Sequence, residues 1–82
     1  MKTIYNTYVV MESQDQCDRI KQLCIDNNLP IWIFNKHLTD ESVFAEIDDD
    51  FWVTDVELNI IDIKQEKTQV TEQEFIELLK TK

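Results

Sequence analysis

The chain contains no glycine, where ordinary usage of about 7% would give roughly six. P-loops, dinucleotide fingerprints and EF-hand loops all need glycine for left-handed or closely approached backbone, so nucleotide-binding enzymes built on them are excluded. Long apolar runs are also missing, and none approaches the roughly 20 residues of a membrane span. Met1-Lys2-Thr3 leads into Tyr5, Asn6 and Thr7 and not into the apolar core of a signal peptide, so the expectation is a cytoplasmic protein. Bases are scarce: eight Lys and Arg stand against seventeen Asp and Glu, for a formal net charge of −9. Non-specific contact with nucleic acid or an anionic membrane is repulsive at that charge, so neither is expected as a direct partner.

With 82 residues, 43% of them hydrophobic and 30% charged, the chain fits one soluble globular domain over 1–82. Cys17 and Cys24 are seven apart in a helical pattern, which separates their Cα atoms by about 10 Å and forbids a disulfide. They read as reduced, buried thiols.

Residues 3–11 are β-branched and aromatic without a breaker and predict a first strand. Ser13-Gln14-Asp15-Gln16 fits a capping box, and Cys17, Ile20, Leu23 and Cys24 continue it as one apolar helical stripe. Asn27 and Asn28 can take the left-handed cap conformation in place of glycine, and Pro30 stops the helix. Residues 31–34 alternate as a short strand, with Ile31 and Ile33 on one face and Trp32 and Phe34 on the other. Segments 42–47 and 51–56 flank Asp48-Asp49-Asp50 and predict a hairpin with a three-residue loop, placing Ile47 opposite Phe51 and Ala45 opposite Val53. Residues 57–63 satisfy a helical period through Val56, Ile60 and Ile63, but their β-branched isoleucines favour a strand. A short strand near 68–70 follows. Thr71-Glu72-Gln73-Glu74 is a second capping box, and Val70 can staple onto Phe75 of a closing helix. The expected fold is α+β, in the order β-α-β-β-β-β-α, with two helices on one face of a mostly antiparallel sheet.

Between Asp40 and Asp62 lie nine acids and no base, whereas eight acids and eight bases balance elsewhere. On strands, Glu46 with Asp48 and Asp55 with Glu57 are i, i+2 pairs whose carboxylates share a side about 7 Å apart, spaced like a short run of phosphates. One reading is a solubilising surface. The other is a docking face for a basic partner, steered to a site that normally holds nucleic acid. A Ca²⁺ or Mg²⁺ site on Asp48-Asp49-Asp50 is a weaker alternative, since consecutive side chains diverge and no closing glutamate follows. If Val43, Ala45, Ile47, Phe51 and Val53 face the helices, then Phe44, Glu46, Trp52 and Thr54 face outward, and Trp32 and Phe34 join them if Ile31 and Ile33 point in, as aromatic anchors among carboxylates. A register slip of one residue would turn these rings into core.

Catalytic chemistry is thin. His37 stands beside Lys36 as a surface residue, no nucleophile is placed for it, and two cysteines with one histidine match no zinc spacing. No enzyme, cofactor or metal is expected.

Tyr8-Val9-Val10 before the first capping box, the Asn27-Asn28-Leu29-Pro30 exit, Phe51-Trp52-Val53 and the closing Val70 to Phe75 run together resemble the small accessory proteins of tailed bacteriophages. In size and charge the chain is similar to phage-encoded DNA mimics and host-enzyme inhibitors, such as uracil-DNA glycosylase inhibitors and antirestriction proteins. The resemblance implies a stoichiometric protein that disables or redirects a host factor. The expected function is therefore an acidic, non-enzymatic module that binds a basic, nucleic-acid-binding host protein through Phe44, Glu46, Asp48, Asp49, Asp50, Asp55, Glu57, Trp32 and Trp52. The alternative is an assembly module that forms a homo-oligomer, such as a homodimer, through its sheet face.

Overall fold

The computed structural model describes residues 4–33, 38–55 and 57–80. A 3₁₀ turn (Ile4–Asn6) leads into β1 (Thr7–Val10), α1 (Gln14–Asp26), β2 (Ile31–Ile33), β3 (Val43–Ile47), β4 (Asp50–Thr54), α2 (Glu57–Glu66), β5 (Thr68–Gln69) and α3 (Glu72–Lys80). The fold is α+β, with one five-stranded sheet in the order β2-β4-β3-β1-β5. The sheet is mixed: β3 pairs antiparallel with β1 and β4, while β2 joins β4 and β5 joins β1 in parallel. Phe34 and His37 lie outside the described residues.

Local chemistry sets the helix ends. The Gln16 amide donates to Ser13 Oγ at 3.1 Å, and Gln16 Oε1 accepts from the Glu12 amide at 2.8 Å, so the box reaches one residue further back than expected. At the other end Asn28 takes φ 58°, the Leu29 amide donates to the Cys24 carbonyl at 2.9 Å, and the Asn28 amide donates to Ile25 at 3.1 Å. This is the Schellman pattern, closed without glycine. At α3 the box is fully reciprocal: the Glu74 amide donates to Thr71 Oγ1 at 3.0 Å, and the Thr71 amide donates to Glu74 Oε1 at 3.3 Å. Val70 and Phe75 are both buried in the same cluster, as the staple requires.

Two apolar clusters lie on opposite faces of the sheet, because alternate strand residues point opposite ways. On one face Val9, Phe44, Phe51 and Val53 pack under Cys17, Ile20 and Cys24 of α1 and Phe75 and Leu79 of α3. Phe44 stacks on Phe51 with centroids 5.6 Å apart, and the Phe75 edge meets both rings. On the other face Tyr8, Val43 and Ala45 pack under Ile60 and Ile63 of α2.

Three expectations need correction. Residues 57–66 form a helix, since a second apolar face made by Tyr8, Val43 and Ala45 needs covering and the helical spacing of Ile60 and Ile63 covers it. The sheet therefore carries helices on both faces, and its pairings divide between parallel and antiparallel. The hairpin turn has two residues, Asp48 and Asp49, with Ile47 opposite Asp50, Glu46 opposite Phe51 and Ala45 opposite Trp52. That one-residue shift turns β3 over, so Phe44 is core at 1% exposure and is not an outward anchor. The first strand is also shorter than 3–11, because Ile4–Asn6 coils into the 3₁₀ turn.

Candidate protein-interaction surface

The hairpin tip gathers acids from two elements. Asp48 and Asp49 are exposed with φ 52° and 73°, which is a type I′ turn. Asn-Gly, Asp-Gly and Gly-Gly are the pairs that adopt this geometry most readily, so Asp48 suits its position and the left-handed cost, about 1 kcal/mol, falls on Asp49, where glycine is preferred. The Asp49 amide donates to Glu46 Oε2 at 2.7 Å, which braces the turn from within its own strand. A shallow cavity of about 290 Å³ beside it is lined by Glu46, Asp48, Asn59, Asp62, Glu66 and Lys67, among others. The helix thus brings Asp62 and Glu66 to the tip. Reading 57–63 as a strand conceals this, although Asn59, Asp62 and Glu66 recur at helical spacing.

Lys67 is the basic side chain in that cavity. Its ammonium sits 3.3 Å from Glu46 Oε1 and donates to the Tyr5 carbonyl, with both ion-pair side chains largely buried. It ties the 3₁₀ turn to the overhanging end of β3 and neutralises Glu46. Asp48, Asp49, Asp50, Asp62 and Glu66 remain as the tip's excess negative charge.

Asp55 follows β4, and Glu57 opens α2 at the opposite end of the strand, roughly 17 Å from Asp50 along the chain direction. Neither proposed i, i+2 carboxylate pair lies on a strand: Asp48 is in the turn, and Asp55 and Glu57 flank a helix start. The acid-rich segment therefore splits between two ends of the sheet, and only Glu46, Asp48, Asp49 and Asp50 of the predicted acids come together.

The predicted aromatics divide as well. Trp32, on edge strand β2, is 54% exposed, and half-buried Trp52 lies directly across from it, with centroids 5.8 Å apart and planes tilted by 31°. Both are on the α2 face. Asp50 shares that face and that strand two residues before Trp52, so a carboxylate adjoins the aromatic pair.

At the far end of the sheet, a groove of about 570 Å³ runs between the starts of α1 and α3, past Ser13, Gln16, Arg19, Val70 and Glu72. Its cation is engaged: Arg19 donates to Glu72 through Nε at 3.1 Å and through a terminal nitrogen at 2.9 Å, and this pairing raises the guanidinium pKa further. Cys17 and Cys24 are buried and not joined in a disulfide, and desolvation, aided by Asp18, pushes the Cys17 pKa up, away from nucleophilic thiolate character. Among the described residues no three His, Cys, Asp or Glu side chains gather as a metal site, and no helix is long and apolar enough to cross a membrane. No protein-family model, curated protein or solved structure matches the chain.

Proposed function

We propose that the chain is a non-enzymatic binding module that docks its acidic hairpin tip onto a basic, nucleic-acid-binding protein and inhibits or modulates it. The observation that supports this most is the charged turn. Asp48 and Asp49 hold left-handed backbone that Asn-Gly would hold more cheaply, and a merely solubilising charge could sit at many exposed positions without that cost. Asp50, Asp62 and Glu66 add to the same end, so the tip offers a compact negative field that steers a positive surface into contact. In this reading the chain acts as the phage-type host-factor inhibitors and DNA mimics do, in the host cytoplasm, where Cys17 and Cys24 stay reduced.

The immobilised chain tests this against bacterial lysate. A basic protein should be retained at low salt, displaced by added duplex DNA, and released as salt shortens the Debye length from about 10 Å to about 3 Å. Retention that is indifferent to both salt and DNA contradicts the proposal. The exposure of Trp32 on an edge strand favours a second reading, homo-oligomerisation through the sheet, which the charge of −9 on every copy opposes. Light scattering that finds a monomer with a water-exposed tryptophan emission removes that reading.

A further inference from the structure

The sheet ends at β2, which has β4 as its neighbour on one side and none of the described strands on the other. The Phe51 amide donates to the Pro30 carbonyl at 2.9 Å, so the Pro30 backbone faces β4. Alternation then turns Trp32 the same way and leaves the N–H and C=O groups of Ile31 and Ile33 along the open edge. Natural edge strands are commonly blunted by lysine or another charge. Here residues 27–35 carry no charged side chain, and the central residue of the strand is the most exposed large apolar side chain described, Trp32.

We infer that this edge is a strand-addition site for an extended cationic segment, which pairs with Ile31 and Ile33 and lays an arginine or lysine side chain over Trp32 and Trp52. Tryptophan is the best aromatic face for a cation, and a planar guanidinium stacks on it. Asp50, on the same face of the sheet, supplies the counter-charge beside the rings. Charge selects this occupant over a second copy of the chain, because two molecules of −9 repel while a basic strand is attracted. Main-chain pairing gives such a site its affinity, and the side-chain pocket gives it selectivity. The inference rests on the basic-partner reading and adds to it which surface grips after the tip has steered.

The probe is a peptide of about ten residues alternating Thr and Arg, titrated into the full chain and followed by amide and indole signals in NMR. The same peptide with citrulline for arginine keeps the shape and removes the charge. The expected result is shifts at the Ile31 and Ile33 amides and the two indole N–H groups, with affinity falling about tenfold or more for the citrulline peptide and for Trp32→Ala. Trp32→Phe should keep part of the binding, and the thermal midpoint of each variant checks that the fold is intact. Equal binding of the citrulline peptide, undiminished binding by folded Trp32→Ala, or shifts confined to Asp48 and Asp49 each overturns the inference. The last outcome leaves the acidic tip as the docking element, and concentration-dependent self-association through Ile31 and Ile33 would assign the edge to a second copy. Failure of the basic-partner reading shows separately, as lysate capture that ignores salt and DNA.

Discussion

The two faces of the sheet are closed to different degrees. Two helices cover the first, where Phe44 stacks on Phe51, Phe75 meets both edge to face, and Val9, Ile20 and Cys24 fill the space around them. The ten-residue α2 covers the second, and it reaches Tyr8, Val43 and Ala45 while Trp32 at the sheet's edge stays more than half exposed. A residue's chemistry alone does not say whether it folds the protein or meets a partner. Phe44 and Trp32 are both large aromatics on short strands, and their exposures differ because one helix layer extends over its strand and the other stops short.

Breaking the closed face should have the largest effect. Phe44→Ala removes a fully buried ring and is expected to cost about 3–5 kcal/mol, enough to unfold much of a small domain in a urea titration. Trp32→Ala should leave the urea midpoint nearly unchanged. Equal losses from the two would erase the difference between the faces.

At the tip, replacing Asp48 with Asn together with Asp49→Gly should raise stability by about 1–2 kcal/mol, since the type I′ turn then has its preferred residues and loses like-charge repulsion. The same change should weaken docking chiefly through a slower on-rate. Lys67→Met removes the partner of a mostly buried Glu46, which keeps the Asp49 amide, and a loss of about 1–3 kcal/mol in thermal unfolding is expected. Thr71→Ala opens the second capping box at a cost of about 1 kcal/mol.

The smallest effects belong to solvated or shielded groups. Arg19→Ala should lower the midpoint only slightly, because the Arg19 side of its pair with Glu72 is 61% exposed. Because the folded Cys17 thiol pKa lies above its unfolded value, the stability it contributes is whole below the unfolded pKa and is lost as pH rises through the folded one. Alkylation of native Cys17 should accordingly be slower than in the denatured chain, measured by mass spectrometry.

What could be read from the sequence followed how local the cause was. Both capping boxes, the left-handed Asn28 and the cysteine stripe depend on neighbours a few residues away, and each is legible in the letters. The register of the hairpin is not. Three consecutive aspartates mark a turn without saying which two form it, and Val43, Phe44, Ala45 and Ile47 are apolar on both faces, so alternation gives no vote. The shift by one residue moved Phe44 from the proposed surface to the core. Helix α2 was hidden for a related reason: the β-branched residues at 60, 61 and 63 favour a strand by propensity, and only the second apolar face of the sheet, a long-range product of that same register, makes the helical spacing win. The acidic segment was visible as charge, but its division between the hairpin tip and the opposite end of the sheet depends on where the turn falls.

If the tip carries docking at the expense of the fold, stability and capture should move in opposite directions when its turn is replaced. The chain and its Asp48→Asn, Asp49→Gly variant are immobilised side by side and exposed to the same lysate at low salt, after thermal midpoints have been recorded for both. The variant should have a higher midpoint and should lose the salt-sensitive basic protein that the parent retains. A variant that is more stable and still captures that protein undiminished would contradict that expectation, and would leave the acids at the tip as a solubilising surface.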